Sequence, residues 1–278
     1  MRRVLTVLLV MSLCLLAACV GRENAPLPRE TLTLPPEEKE LPAYQFQTLS
    51  AQEQFSTDDG TELSQYTYQL LTMAVTNAED LSPETKKQAE AAVETFNARM
   101  QELMDTSVSW GRELGNMAQY AYDQGSASLS YYDETTASGY IGGQIVSVRM
   151  DNSSYAGGAH PNTVTSGYVF DLSIGQFIDP AQVADDPAAF QAGAGALLLE
   201  QAEAKKENLD GYWPDYGDII ARWNEGTVLF DEGGMTVVYS PYELGPYAMG
   251  SVELFLSYSQ LGDLLGEGGL ERLGAAAE

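Results

Sequence analysis

The sequence predicts an α+β fold with two sequential sub-domains, each a mostly antiparallel sheet with packed helices. Runs in which apolar and polar residues alternate occur in both halves of the chain, and such alternation is typical of half-buried strands. Each half also contains a stretch with helical features, such as a capping residue or an apolar stripe. Short turn segments separate most strand candidates, which favours antiparallel neighbours.

The first 19 residues have the pattern of a bacterial lipoprotein signal peptide. Arg2 and Arg3 form a basic start, and Val4 to Leu16 form an apolar run that is too short for a comfortable membrane span. Small residues then precede Cys19, which resembles a lipobox, the motif whose cysteine receives a diacylglycerol. We therefore expect a lipid on Cys19 and a location at the extracytoplasmic face of the cell membrane. The alternative is an ordinary signal peptide with Cys19 as a bystander.

Cysteine and charge content narrow the classes of function. Cys14 lies in the segment to be removed, so we expect no disulfide in the mature domain. Loss of Arg2 and Arg3 leaves 12 basic against 40 acidic residues, a net charge of −28. This charge argues against nucleic acid or an anionic lipid surface as a partner and favours a cationic one. An acidic surface that only keeps a secreted protein soluble explains the same numbers.

Residues 20–43 are predicted to be a tether between the membrane and the domain. The segment is polar and contains five prolines, a composition that cannot build a core and favours an extended chain. At about 3.1 Å per residue in polyproline geometry, it spans roughly 70 Å.

Residues 44–162 are assigned to the first sub-domain. Leu63–Val75 is predicted to be a strand, with a bulge where the apolar parity switches. Ser82 and Pro83 combine a capping side chain with a first-turn proline, so a helix is expected to follow. The apolar stripe between Val93 and Met104 is interpreted as the core face of this helix.

The rest of the first sub-domain contains weaker signals. A second helical stretch over Trp110–Tyr122 is predicted, although Gly111 and Gly115 weaken it. Two strands are then expected at Ser126–Tyr132 and Ile141–Met150, separated by a polar turn.

Residues 163–265 are assigned to the second sub-domain, and residues 266–278 to a flexible, frayed tail. The predicted elements of this half are a strand at 163–172, a helix at about 187–206, a short helix at 215–223, a hairpin at 227–239 and a strand at 251–256.

The stretch Tyr155–Asn162 is the expected corner between the two halves. It holds the single histidine of the chain, and its glycines and proline force a sharp turn. Two roles are open for its residues: a structural turn capped by the imidazole, or contact with a ligand. The ligand-binding candidates here are Tyr155, Gly157, Gly158, His160 and Pro161.

A second candidate loop spans Ser240–Tyr247. Pro241 and Pro246 stiffen it, so its aromatic side chains can be presented rigidly, as binding anchors often are. A plain connection between strands, stabilised by tyrosine hydrogen bonds, is the alternative. The ligand-binding candidates here are Tyr242, Glu243 and Tyr247.

No catalytic constellation, metal site or cofactor is predicted. One histidine and no mature thiol beyond Cys19 exclude a His/Cys zinc cage. Calcium binding by the acidic stretch Glu207–Asp218 is a minor alternative, because the stretch lacks the spacing of an EF-hand calcium loop. A serine triad would need His160, yet no G-x-S-x-G motif occurs, and nothing singles out a pair of carboxylates for glycoside cleavage.

Several motifs carry a family resemblance over Tyr44–Leu265. The segments YAGGAHPN, FDLSIGQFID and SPYELGPYAMGSVELFLSYSQL resemble the extracellular domain pair of the RsiV-like lysozyme-sensing anti-sigma factors. The same pair is similar to the non-catalytic N-terminal part of PdaC-like deacetylases. The sequence departs from both, because we find neither a cytoplasmic sigma-binding segment nor a metal-dependent deacetylase domain. The resemblance implies a wall-facing recognition module.

Two functions follow as expectations. The first is a non-catalytic surface lipoprotein that binds a cationic protein, with lysozyme the candidate from the resemblance. The second is an accessory glycan-binding or peptidoglycan-modifying envelope protein.

Overall fold

The computed structural model describes residues 40–126, 130–204 and 211–275. Over these residues the predicted α+β class is confirmed, with a six-stranded sheet, a three-stranded sheet and packed helices. The predicted signal peptide, Cys19 and most of the predicted tether lie outside the described residues. No helix among those described is both long and apolar enough to cross a bilayer.

The first sheet has the order β1-β2-β3-β4-β5-β6, and the second has the order β7-β8-β9. All pairings are antiparallel except β2 with β3, which are parallel and joined by the helix α1. The element bounds are β1 Tyr44–Ser56, β2 Glu62–Val75, α1 Pro83–Asp123, β3 Tyr131–Gly142, β4 Ile145–Tyr155, β5 Asn162–Asp171, β6 Gln176–Phe177, α2 Pro187–Ala204, α3 Tyr216–Ala221, β7 Thr227–Phe230, β8 Gly234–Tyr239, β9 Val252–Ser257 and α4 Tyr258–Leu273.

The helix α1 begins where the sequence predicts, but it is one helix of 41 residues. The Ser82 hydroxyl caps it by accepting from the Thr85 amide at 3.2 Å. Trp110–Tyr122 is helical as predicted, but it continues α1 and is not a separate helix, because Gly111 and Gly115 do not interrupt α1. They lie on its buried face, where a Cβ at Gly111 would stand 2.4 Å from the Tyr66 ring. Gly111 allows close packing on β2 and Gly115 on Phe55 of β1, and this packing offsets their low helix propensity.

The strand β2 is confirmed, but the predicted bulge is not there. Its register with β1 runs without a shift from Phe55↔Ser64 to Tyr44↔Val75. In both strands, the residues that face the core switch from odd to even positions, or the reverse, at the same point along the pair. The paired residues Phe46↔Met73 and Leu49↔Leu70 therefore all face the core without a bulge. The one register shift lies between Phe55 and Ser56.

The prediction for the β3–β4 region was wrong in its boundaries. The polar segment that was interpreted as a turn is β3 itself, and the actual turn falls between Gly142 and Ile145. The polar residues are tolerated because they bond to one another in the interior. Buried Asp133 accepts from the Tyr68 hydroxyl at 2.6 Å and from the Asn152 amide at 2.7 Å.

The first sheet extends further along the chain than the boundary predicted between residues 162 and 163. Strands β5 and β6 both pair within it, so the segment 156–161 is a hairpin loop between β4 and β5. The expected corner between two halves is therefore a connection inside one sheet. Because β4 and β5 are antiparallel neighbours, a short loop is enough to connect them.

The tail predicted to be frayed is largely helical. The helix α4 kinks at Gly266, where φ is 75°, and continues to Leu273. Leu273 is fully buried and Leu270 nearly so, and the Arg272 guanidinium donates to the buried Asp171 carboxylate. Tertiary packing thus outweighs the low helix propensity of a glycine-rich sequence.

The second half confirms its predicted elements over the described residues, and it packs against the first sheet. The Thr165 amide of β5 donates to the Ser240 hydroxyl at 3.0 Å, and the Phe230 amide of β7 donates to the Ser147 hydroxyl at 2.9 Å. Each sheet has its own apolar cluster, one under α1 and one under α2 and α4.

A candidate binding site formed by two loops

Two loops that are distant in sequence meet at one end of β5. We name residues 156–161, between β4 and β5, the histidine loop, and residues 240–251, between β8 and β9, the tyrosine loop. The His160 imidazole stacks on the Tyr247 ring, with centroids 3.6 Å apart and planes 15° from parallel. The Tyr242 ring completes the group at 5.7 Å from Tyr247. These three rings are the aromatic cluster.

Hydrogen bonds fix the orientation of the imidazole. Its Nδ1 lies 2.8 Å from the Pro161 carbonyl oxygen, and its Nε2 lies 3.3 Å from the Tyr242 hydroxyl. A carbonyl can only accept, so Nδ1 carries the proton of the neutral ring and Nε2 accepts from Tyr242. The histidine is therefore held by both nitrogens and by its stacked face.

The histidine loop holds its shape through its own contacts. The Tyr155 hydroxyl donates to the Gly158 carbonyl at 3.0 Å, which closes the loop. Gly157 and Gly158 have φ values of 90° and 114°, a region that other residues adopt only with strain. Tyr131 packs edge-on against Tyr155. The glycines are thus required for the turn that presents His160.

The tyrosine loop contains a strained residue near its start. Tyr242 has a φ of 75°, the one positive φ outside glycine among the described residues. The Trp213 indole donates to the Tyr242 carbonyl at 3.0 Å, and the Trp213 amide donates to the Leu244 carbonyl at 2.7 Å. Such strain persists only where surrounding contacts enforce it, and it is often found at functional positions.

Glu243 has a role inside the loop. Its carboxylate accepts from the Ser240 amide at 2.6 Å, and its amide donates to the Ser240 carbonyl at 3.0 Å. Burial raises the pKa of the Tyr239 hydroxyl, and the nearby Glu243 charge raises it further. The glutamate thus supports the turn that carries Tyr242.

The cluster presents aromatic surface to solvent. Tyr242 is 53% exposed and Trp213 is 37% exposed, although both backbones are hydrogen-bonded. Exposed, preorganised aromatic side chains are typical of protein-binding hot spots, because little conformational entropy is lost on binding. Within the described residues, no group of three or more His, Cys, Asp or Glu side chains is arranged to hold a metal ion.

The sequence predicted the two loops separately, and the structure brings their key residues together. His160, Tyr242 and Tyr247 form one cluster, with Pro161 bonded to the imidazole and Tyr155, Gly157 and Gly158 shaping the loop beneath it. Trp213 was missed as a part of the site. Its aromatic and proline neighbours, Tyr212 and Pro214, were the available signal.

The calcium hypothesis concerned the stretch Glu207–Asp218. Its first four residues lie outside the described part of the chain. The described remainder forms a turn that leads into α3, and Trp213 in this turn bonds to the tyrosine loop.

Comparisons with known proteins concern the fold and one part of the chain. Residues 190–259 match a family described as a protein of unknown function, DUF3298. A crystal structure of a DUF3298 family member from Bacteroides fragilis NCTC 9343 aligns with a TM-score of 0.58 at 21% identity, covering 85% of this chain and 99% of that chain. A DUF3298 family protein from Pseudomonas aeruginosa PAO1 gives 0.49 at 17% identity, covering 82% and 96%. No curated protein matches the sequence.

The family match includes the tyrosine loop and leaves the histidine loop outside. At 21% identity, the likeness to the Bacteroides fragilis structure shows a shared fold and nothing further. Residues 190–259, from within α2 to the start of α4, are therefore similar to a family of unknown function over 70 of the 278 residues.

Proposed function

We propose that this protein is a bacterial surface lipoprotein, anchored through Cys19, that binds a cationic protein such as lysozyme. The observation that carries the proposal is the aromatic cluster. Two loops 82 residues apart converge on His160, and the Tyr242 ring lies more than half exposed beside it. This is a rigid aromatic anchor of the kind that dominates protein-binding energy.

The charge of the chain supports a cationic partner. The formal net charge is −26, and it falls to −28 without Arg2 and Arg3. A cleft of about 340 Å³ reaches Thr163, two residues after the histidine loop, and Ser251, the last residue of the tyrosine loop. Its walls include the carboxylate of Glu134, together with Asp151 and Arg149, which pair with each other at 2.8 Å. Opposite charge accelerates encounter, and desolvated aromatic contacts then slow dissociation.

The direct test is titration calorimetry of the purified protein with lysozyme. We expect binding that weakens as NaCl rises from about 50 mM to about 500 mM, because screening removes the long-range attraction. Replacing Tyr242 by Ala should weaken binding about 30-fold, the size of a typical hot-spot loss of about 2 kcal/mol.

The matched control is Tyr120→Ala. Tyr120 is 68% exposed on α1, outside both loops, so its removal should leave the affinity for lysozyme unchanged. The proposal fails if lysozyme gives no heat at low salt, or if both tyrosine variants lose affinity equally.

A second candidate function is glycan binding. Exposed Tyr242 and Trp213 offer flat apolar faces of the kind on which sugar rings pack. Pull-down with insoluble peptidoglycan, comparing the wild type with Trp213→Ala, separates this function from the first. Retention that depends on Trp213 and persists at high salt would favour the glycan.

The lipid anchor has its own test. Mass spectrometry of the protein isolated from bacterial membranes should show a mature amino terminus at Cys19 carrying acyl chains. Each buried methylene contributes about 0.8 kcal/mol to anchoring, so two or three chains hold the protein firmly. An unmodified terminus would remove the anchor from the proposal.

A further inference from the structure

The edge strands of the two sheets differ in whether their outward-facing backbone amides and carbonyls already have hydrogen-bond partners. An edge strand directs the amide and carbonyl of every second residue away from its neighbour, and these groups can pair with another strand. The two sheets have four edges, formed by β1, by β5 with the short β6, by β7 and by β9. Three of the four are blocked by specific contacts.

The edges of β5 and β7 block each other. The Thr165 amide donates to the Ser240 hydroxyl at 3.0 Å, and the Thr165 carbonyl accepts from the Thr227 hydroxyl at 2.8 Å. The two backbones approach so closely that a Cβ at Gly167 would lie 2.7 Å from the Val228 carbonyl oxygen. No further strand can enter between these two sheets.

The edge of β9 is capped by glutamine side chains. The Gln201 amide group donates to the Phe255 carbonyl at 2.8 Å and accepts from the Phe255 amide at 3.0 Å. The Gln260 side chain accepts from the Ser257 amide at 3.0 Å. Gln201 thus occupies the groups that an added strand would use.

The edge of β1 carries no such cap. It has 13 residues, and within the described chain its backbone bonds are those to β2. About six of its residues therefore direct their amide and carbonyl groups outwards. It contains no proline and no lysine, and its one register shift is at its last pair, so the usual devices that protect an edge are missing.

The charge pattern of β1 indicates what kind of strand it can accept. Its only charged residue is Glu53, in a chain with 40 acidic residues. The Glu53 carboxylate accepts from the Tyr66 hydroxyl at 2.9 Å and pairs with the Arg112 guanidinium at 3.3 Å. Because its one charge is compensated, the edge suits a neutral strand better than a cationic one.

We propose that β1 is a self-association edge, where the β1 strands of two copies pair antiparallel about a two-fold axis. The two six-stranded sheets then form one continuous sheet. With the axis near Ser50, the middle residue of β1, Glu53 of one copy lies opposite Gln47 of the other, so no like charges face each other. A second copy is the occupant that fits an edge whose single charge is compensated, because antiparallel pairing of two identical strands satisfies two-fold symmetry.

The salt dependence of this contact is opposite to that of a cationic partner. Two copies with a net charge of −26 repel each other at a distance, so screening should strengthen their association. Capture of a cationic protein weakens under the same change. The two proposals can therefore fail independently.

The experiment is sedimentation equilibrium of the full chain at about 50 mM and about 500 mM NaCl. We expect a reversible dimer that is favoured at high salt. Ser50 is exposed, and both Ser50→Lys and Ser50→Glu place like charges together at the axis, so each should weaken the dimer at least about tenfold. Ser109→Lys, at an exposed position on α1, should change dimerisation less than about twofold.

The pair of Ser50 variants separates the interface from net charge. If only net charge mattered, Ser50→Lys would strengthen association and Ser50→Glu would weaken it. That result overturns the proposal, as does a full chain that stays monomeric at high salt. As a second measurement, Ser50→Cys should form a disulfide-linked dimer under mild oxidation, because opposed Cβ atoms lie about 5 Å apart. A variant that stays uncross-linked while the wild type dimerises also contradicts the assigned edge.

Discussion

The two ends of β5 contact the second half of the molecule in different ways. At its last residue, Asp171 is 1% exposed and its carboxylate accepts from the Arg272 guanidinium of α4. Just before its first residue, His160 lies exposed and stacks on Tyr247 of the tyrosine loop. One end is closed by a buried ion pair, and the other by an aromatic contact open to solvent.

The two ends differ in how much each contact is expected to contribute to stability and in how accessible it is to solvent. Breaking a buried ion pair leaves an uncompensated charge, which costs several kcal/mol. Losing an exposed ring contact costs little, because water replaces the partner. The Asp171 end is therefore suited to hold the halves together, and under the proposed function the His160 end contacts the partner.

The largest expected effect is at the buried end. Replacing Arg272 by Met should lower the free energy of unfolding by about 3 kcal/mol, since Asp171 stays buried without its cation. Arg272 also donates to the Gln182 carbonyl at 2.7 Å, and this bond is lost as well. Urea unfolding measures the change. The control is Arg112→Met, which removes an exposed ion pair and should lower the free energy of unfolding by less than about 1 kcal/mol. If both variants lose the same stability, the contrast between the two ends of β5 is wrong.

The second effect is a loss of stability in acid. Burial alone would raise the pKa of Asp171, but hydrogen bonds from Ser173 and Arg272 hold that pKa below its usual value. The native state then binds fewer protons than the unfolded chain, so stability is lost as the pH falls below about 4. Urea unfolding at several pH values should give a shallower acid slope for Asp171→Asn than for the wild type. Identical slopes would show that this carboxyl does not carry the effect.

A smaller effect is expected at the partly exposed ion pairs of Arg149, of which the pair with Glu253 joins the two sheets. The Arg149 guanidinium bonds Asp151 at 2.8 Å and Glu253 at 2.9 Å, and all three side chains are partly exposed. Glu253→Gln should therefore change the free energy of unfolding by less than about 1 kcal/mol, and less still in high salt. A loss as large as that of Arg272→Met would mean that burial is not what separates these contacts.

The smallest effect on stability is expected at the aromatic end. His160→Ala should cost about 0.5 kcal/mol, because the ring is exposed and only its stacking on Tyr247 and its bond to Tyr242 are lost. The same variant should weaken lysozyme binding about tenfold, since it leaves Tyr242 unsupported. Thermal unfolding and calorimetry on one preparation give both numbers. A large loss of stability with unchanged binding would assign His160 to the fold.

Local signals predicted much of the fold. The start of α1 followed from Ser82 and Pro83, whose chemistry acts within one turn. The position of β3 did not, because its polar residues are buried through bonds to Tyr68 and Asn152 that only the folded chain forms. The end of α4 was missed for the same reason, since the packing of Leu273 offsets the nearby glycines.

The candidate site was predicted as two loops and not as one cluster. Turn residues marked each loop, but nothing local relates His160 to Tyr247. Their contact depends on the pairing of β5 with β4 and on the bond between Thr165 and Ser240, which bring the two loops together. Non-local register of this kind cannot be derived from one sequence.

The backbone of Tyr242 has a consequence for selection. A left-handed conformation costs a tyrosine about 1 kcal/mol and costs a glycine almost nothing. A library randomised at this position and screened for heat resistance should therefore drift towards glycine or asparagine. Screening the same library for ligand capture should retain aromatic residues at position 242. The difference in residue frequencies between the two selected libraries would measure how much this ring contributes to binding.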